Sequence, residues 1–215
     1  MGTRARREQE KENMRNAILE AATKIIVSEG YEKLSMRKIA EAIDYTPTTI
    51  YIYYKDKAQI VDDISREVYR KIVLNIKKVL DGNKDIPVDK QLELSFKEFV
   101  ETMTGNSEMA KAIIRSGTRS IFGPAESSDT PEEQGIVILQ ALLLKGQLQS
   151  KLRKLDDNIP WMLISSLIGF AANAIENQLY LSTNWHEIVN VYVEMLMNGL
   201  LLREEHNNGE FNLEK

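Results

Sequence analysis

The chain predicts an all-α protein, and three observations carry that expectation. Apolar residues recur at helical spacing along nearly the whole length, no segment alternates like a half-buried strand, and five prolines and eleven glycines punctuate 215 residues only sparsely. The punctuation divides the chain into a compact three-helix, helix-turn-helix unit in residues 1–57, a larger helical bundle in 58–205 and a polar tail in 206–215.

Each element has a local reason. Met14, Ala17, Ile18, Ala21, Ala22, Ile25 and Ile26 form the single apolar stripe of an amphipathic helix, and Gly30 suits the left-handed position that ends it. Ser35 caps a short second helix that buries Ile39, Ala40 and Ile43. Asp44-Tyr45 makes a tight break. Thr46-Pro47 restarts the helix with a capping hydroxyl and a proline at the first helical position, where its missing N–H costs nothing. This third helix ends near Tyr53, and Asp56-Lys57-Ala58-Gln59, which resembles a capping box, opens a fourth that runs to about Leu80. Past a linker at 81–87, helices are expected over 88–103 and, broken, over 107–121, followed by a loop at 122–129. Thr130-Pro131-Glu132-Glu133 starts a helix to about Leu152; residues 156–160 cap one to Leu181; Asn184 with Glu187 opens the last, to about Arg203.

Composition excludes several chemistries. Cysteine is absent, which removes disulfides, thiolate metal sites and cysteine nucleophiles, and fits a reducing compartment. His186 and His206 are the only imidazoles, too few for a histidine-rich metal site, so no metal and no cofactor is expected. No G-x-S-x-G, P-loop, H-E-x-x-H or dinucleotide fingerprint is present, and Asp156-Asp157 reads as a helix cap; the expectation is not an enzyme. The charged N-terminus lacks the apolar core of a signal peptide, and polar residues interrupt the longest apolar stretches, so the expected setting is cytoplasmic with no membrane partner. Net charge is −4, but the first 57 residues hold 11 Lys/Arg against 9 Asp/Glu, leaving 17 against 23 in the remainder. A basic end on an acidic body suits docking of one end on a polyanion.

Two short helices joined by a tight turn, with a longer helix packed before them, meet the geometric need of major-groove reading. The third helix carries Thr46, Thr48, Thr49, Tyr51 and Tyr53, followed by Lys55 and Lys57. Threonine hydroxyls and methyls can meet base edges, tyrosine hydroxyls reach phosphates, and lysines neutralise them. Arg37 in the second helix is within reach of a base edge or the backbone. For Tyr51, Tyr53 and Tyr54 taken singly, packing as core aromatics is an equally good account.

Residues 15–60, with Ile18-Leu19, Ala21-Ala22, Gly30, Ile39-Ala40, Thr49-Ile50-Tyr51 and Tyr54-Lys55-Asp56-Lys57, resemble the N-terminal domain of the TetR family of regulators. The resemblance implies that Ser35 and Arg37 begin the supporting helix beside the groove, and that Thr46, Pro47, Thr48 and Thr49 face base edges or the adjoining backbone. It further implies phosphate contacts from Tyr51, Tyr53 and Lys57, and packing of Ile52 on a thymine methyl. Arg4, Arg6 and Arg7 form either an arm over neighbouring phosphates or a disordered basic tip. Asp44-Tyr45 departs from the common Gly-Val of the family turn, Thr48 stands where glycine is frequent, and Tyr53 where histidine often stands.

For the remainder the resemblance implies an all-helical homodimer with a small-molecule site in the larger domain. Helices 131–152 and 160–181 are the dimer candidates. One carries Ile136, Leu139, Gln140, Leu143, Leu144 and Leu148; the other carries Leu163, Leu167, Phe170, Ala171 and Ala174, with Gly169 permitting close approach. The same stripes can instead face their own core. Met103, Ile114, Phe122, Trp161, Phe170, Asn173 and Asn177 are the candidate ligand contacts, between the fourth and eighth helices. The function expected is that of a dimeric DNA-binding regulator, a repressor released from a palindromic operator by a small-molecule effector. The alternative is an activator or DNA binder of the same fold without a ligand.

Overall fold

The computed structural model describes residues 3–116 and 131–202, and within them every regular element is helical. In order these are α1 (Thr3–Glu29), α2 (Met36–Ala42), α3 (Pro47–Tyr53), α4 (Lys57–Gly82), α5 (Val88–Gly105), α6 (Ser107–Ser116), α7 (Pro131–Leu148), α8 (Ile159–Glu176) and α9 (Trp185–Asn198). Single 3-10 turns lie at Tyr31–Lys33 and Leu179–Leu181.

The caps foreseen in the N-terminal unit form. Ser35 Oγ accepts from Lys38 N at 3.2 Å, Thr46 Oγ1 from Thr49 N at 3.3 Å, and Asp56 Oδ1 from Gln59 N at 2.9 Å. Gly30 adopts φ +87°, and its Cα faces open space, so backbone conformation alone selects glycine there. Ile18, Ala22, Ile26, Ile39, Ala40 and Ile50 are fully buried and join α1, α2 and α3 to a core that continues through the later helices.

Boundaries differ from expectation where tertiary contacts decide them. α1 begins at Thr3, so Arg4, Arg6 and Arg7 lie on a helix rather than an arm. α7 stops at Leu148, not Leu152, because the chain turns through Ser150 (φ +54°) and Leu152 pairs with Leu201 in an isolated antiparallel bridge. α8 ends at Glu176, where Gln178 (φ +56°) breaks it short of Leu181. The expected helix end at 117–121 and the loop at 122–129, with Phe122, lie outside the described residues, as do Arg203, His206 and the tail. α8 is long and apolar enough, by length and composition, to cross a membrane. Its Leu163, Leu167, Ala171, Ala174 and Ile175 are instead packed inside the bundle.

α4 is the backbone of the arrangement. It packs on α1 at one end and on α5, α6 and α7 further along. At 26 residues it spans about 39 Å as one rigid rod.

Gly30→Ala should lower stability by about 1–3 kcal/mol, because φ +87° with ψ 161° is a backbone conformation essentially reserved for glycine, although the methyl meets no neighbour. A urea titration reads it; an unchanged midpoint would show that the turn relaxes.

Candidate nucleic-acid interface

α3 is short, amphipathic and largely bare. Ile50 is fully buried and fastens it to α1 and α2, whereas Pro47, Thr48, Tyr51 and Ile52 share the opposite face and are exposed, Tyr51 at 57% and Ile52 at 75%. Two large apolar-bodied side chains left in water beside free hydroxyls make a poor structural surface and a good contact surface.

The hydroxyls divide into two sets. Ser35 and Thr46 are committed to capping, and Thr49 Oγ1 lies 3.1 Å from Thr46 Oγ1. These three fix where α2 and α3 begin. Thr48 and Tyr51 have no side-chain hydrogen bond among the described residues, so their groups are available outward. Tyr53 is half-buried, intermediate between the two accounts the sequence allowed.

The cations divide likewise. Arg37 Nε meets Glu41 Oε1 at 2.8 Å, an exposed pair one turn apart that opens at little cost. Lys55 projects into solvent, while Gln59 Oε1 accepts from its backbone N–H at 2.8 Å. Lys57 is turned inward of that line: its ammonium sits 4.3 Å from the centre of the Tyr31 ring. Burial, then the Glu32 and Asp56 carboxylates, push the Tyr31 phenol up, so that ring stays neutral under the cation.

The turn between α2 and α3 places Asp44 at φ +58°. A left-handed residue is needed there, and aspartate tolerates that conformation better than most residues that carry a Cβ. This explains why the atypical Asp44-Tyr45 keeps the turn geometry.

Sequence reasoning gave Tyr54 no distinct role. It is 2% exposed, caps the end of α3, and donates its hydroxyl to Asp63 Oδ2 on α4 at 2.9 Å. The Arg15 guanidinium lies 5.9 Å from its ring centre. One side chain therefore ties α1, α3 and α4. Burial, then Asp63, push its phenol well above the ordinary tyrosine range. The signal in the sequence was its place beside Tyr51 and Tyr53 with a carboxylate nine residues on, a spacing that reveals nothing until α4 is positioned.

The expected ligand contacts are not brought together. Ile114 and Trp161 are about half exposed, and Asn173 and Asn177 are on the surface, where Asn177 Nδ2 bonds the Asn173 carbonyl at the helix end. Phe170 is stacked on Tyr192, with ring centres 3.8 Å apart, and on Trp185. Only Met103 borders an internal space, a narrow one shared with Tyr69, Ile72, Phe99 and Ile168. The larger cavity, about 60 Å³, lies between α4, α5, α7 and α8. Its wall on α4 is Tyr69, Ile72, Val73 and Ile76, and Phe96 and Phe99 face them from α5. Gly135 of α7 forms part of it, and a Cβ there would sit 2.1 Å from the Tyr69 hydroxyl. Among the described residues no charged side chain lines it. A helical stripe in the sequence does not say which neighbour it faces, so the placement of these side chains comes from the packing alone.

The dimer stripes resolve in the same way. Leu139, Leu143, Leu163, Leu167, Ala171 and Ala174 are buried in the chain's own core, and Ile136 and Phe170 are half-buried. Gln140, Leu144, Leu148 and Gly169 are exposed. The outward apolar residues of the last two helices are Trp161 and Met162 on α8 and Val191 and Met195 on α9, each near or above half exposed.

Comparison with known proteins agrees with this geometry. Residues 18–64 match the family model of bacterial regulatory proteins of the tetR family. An uncharacterized HTH-type transcriptional regulator of Haemophilus influenzae is 28% identical over 76 residues, 35% of this chain and 41% of that protein. The nicotine-responsive transcriptional repressor HdnoR of Paenarthrobacter nicotinovorans is 25% identical over 72 residues, 34% of this chain and 37% of its own length. The matches thus span about two fifths of those relatives. The solved structure of RolR in complex with resorcinol superposes with a TM-score of 0.68 over 90% of each chain at 15% identity, a likeness of fold.

Tyr54→Phe should cost about 1–3 kcal/mol, the worth of a hydrogen bond to a carboxylate. Because the folded phenol titrates above the unfolded one, stability falls as pH rises past about 10. The variant should lack that alkaline component, and denaturant titrations across pH 8–11 read both effects; an unchanged midpoint at neutral pH would deny the tie.

Proposed function

We propose that this chain, whose residues 18–64 match the family model of tetR-family bacterial regulatory proteins, is a DNA-binding regulator of that family and acts as a cytoplasmic homodimeric repressor. It binds a palindromic operator through α3 and releases it when a small molecule enters the bundle. The observation that supports this best is the exposed Pro47, Thr48, Tyr51 and Ile52 face, held out by three capped helix starts. In this reading Thr48 and the Thr46–Thr49 segment meet base edges, Ile52 packs on a thymine methyl, and Tyr51 and Tyr53 reach phosphates. Ser35 and Arg37 adjoin the backbone, and Lys55 and Lys57 supply charge, Lys57 by swinging off Tyr31. The division of labour falls at about residue 57, where α4 begins.

One such unit makes too few contacts for tight binding, so two are needed on one duplex. The exposed Trp161, Met162, Val191 and Met195, flanking the Phe170–Tyr192 stack, favour pairing through α8 and α9. The small residue Gly169, with nothing near it, lets a second backbone approach.

The effector is an uncharged, slender, largely apolar molecule. A cavity of about 60 Å³ holds a handful of water-sized groups at about 10–15 Å³ each. Among the described residues its polar groups are the Ser95 hydroxyl and the Tyr69 phenol, and Ser95 donates to the Gln91 carbonyl at 2.7 Å. An ionised ligand would stay unpaired there at a cost of several kcal/mol. RolR, a neighbour in fold, takes the small phenol resorcinol. A ligand wedged against Tyr69, Ile72, Val73 and Ile76 presses on α4, and α4 holds α3 through Tyr54 and Asp63. Release requires the ligand to bind the spread state better than the operator-bound state.

Selection of bound fragments from the source genome supplies the operator. Tyr51→Ala should then weaken binding at least tenfold with the unfolding midpoint nearly unchanged, since its side chain is mostly in water; unaltered affinity removes Tyr51 from the interface. In thermal-shift and calorimetric titrations, short neutral alcohols and phenols should bind at least tenfold more tightly than carboxylates of equal carbon number. Preference for the carboxylates would refute the assigned ligand class, and bound ligand without operator release would refute the switch.

A further inference from the structure

The first three turns of α1 extend beyond the body of the protein: every described side chain from Arg4 to Asn13 is exposed, and the first fully buried one is Ile18. Its charges are mixed, four cations and three carboxylates between Arg4 and Asn13, but they are not evenly spread. At 3.6 residues per turn, Arg4, Arg7, Lys11 and Arg15 fall within about 80° of arc. The same arc, continued, is occupied by Ile18, Ala22 and Ile25, the residues that face the core. Basic side chains thus extend the core-facing stripe of α1 into open solvent.

The acidic residues of the segment lie off this arc. Glu8 and Glu12 flank it on one side, and Glu10 on the other is bound by Arg6 at 2.9 Å, an exposed pair one turn apart. Arg4, Arg7 and Lys11 have no carboxylate partner among the described residues. The stripe also has a definite origin. Arg15 lies over the Tyr54 ring, and Tyr54 stands between Tyr53 and Lys55, at the edge of the α3 surface. From there the stripe runs about 16 Å outward, close to half the length of a turn of duplex.

We propose that Arg4, Arg7 and Lys11 form a helical backbone clamp that contacts DNA phosphates flanking the segment read by α3. The inference rests on the DNA-binding reading above and adds a surface outside the helix-turn-helix. The partner is identified by charge: a cationic line on a rigid rod matches a regular line of phosphates, and sequence plays no part in it.

The test uses the full chain and a random-sequence duplex of about 40 base pairs, with affinity followed by fluorescence anisotropy from about 50 to about 300 mM salt. The triple variant R4Q/R7Q/K11Q keeps good helix formers, and circular dichroism checks that helix content is retained. Its salt slope should be shallower by about 2–3, at about 0.9 for each phosphate no longer neutralised, with affinity at least tenfold weaker near 0.1 M salt. Arg6→Gln, on the far side of the helix, should leave the slope unchanged, and R4K/R7K/K11R should restore it. A wild-type slope in the triple variant overturns the clamp, as does an equal effect per charge from Arg6→Gln. Failure of the wild-type protein to bind duplex at all would instead overturn the DNA-binding reading, and the clamp with it.

Discussion

The contact on which the geometry most depends is the hydrogen bond from Tyr54 to Asp63. α3 has seven residues and one fully buried side chain, Ile50, too little to hold a fixed direction alone. Tyr54 compensates from the end of the helix. Its ring fills the space between α1 and α4, its N–H closes the last turn of α3 on the Ile50 carbonyl, and its hydroxyl reaches the second turn of α4. A phenol so placed has to stay protonated, which is why burial and a neighbouring carboxylate both raise its pKa. The outward face of α3 is free for contact because its position is fixed from behind.

The same constraint gives α4 two roles. Asp63 and Tyr69 are six residues apart on one continuous helix, about 9 Å along its axis. One turn supports the reading surface and the next lines the apolar cavity. A helix without a proline or a break between those points transmits tilt rather than absorbing it. The close seating of Tyr69 against Gly135 leaves little slack on the α7 side. A molecule larger than the present cavity has to separate α4 from its neighbours to enter. On the proposed switch, entry and displacement of α4 are a single event, and that coupling is what would supply the difference in affinity between states.

What could be read in the sequence was what is decided locally. Ser35, Thr46, Pro47, Asp56 and Gly30 each act within a few residues, so the end of α1 and the starts of α2, α3 and α4 could be placed before any tertiary packing was known. The outer face of α3 was legible because a single buried residue, Ile50, defines the opposite side. The ligand contacts were not legible: α8 is apolar around most of its circumference, and only the packing of α5 and α7 shows that Leu167 faces the cavity while Trp161 faces outward. Asn173 and Asn177, one turn apart in an apolar stretch, suit solvent exposure as well as a ligand, and they are on the surface at the end of α8. The start of α1 was missed for a related reason. It has no apolar periodicity, and its arc of cations becomes meaningful only once the helix is seen to be continuous from Thr3 to Glu29.

Charge at the reading end is arranged by position more than by amount. The excess of basic over acidic residues in the first 57 is only two, too small to fix an orientation on DNA by net charge. Pairing sharpens it. Glu10, Glu20, Glu29 and Glu41 are each taken up by a cation on the same or a neighbouring helix, and Asp56 by a cap. Those pairs contribute little to stability in water. Their effect is to neutralise carboxylates that would otherwise repel a polyanion, leaving Arg4, Arg7, Lys11 and Lys55 as charges without an acidic partner among the described residues. Glu8, Glu12, Glu32 and Asp44 keep no cation partner among the described residues; Glu8 and Glu12 lie beside the arc of cations on α1, and the place of Asp44 in the turn before α3 is explained by its left-handed backbone rather than by electrostatics. A domain of nearly balanced composition thus presents a directional cationic edge, because what a polyanion meets is the set of charges that folding leaves unpaired.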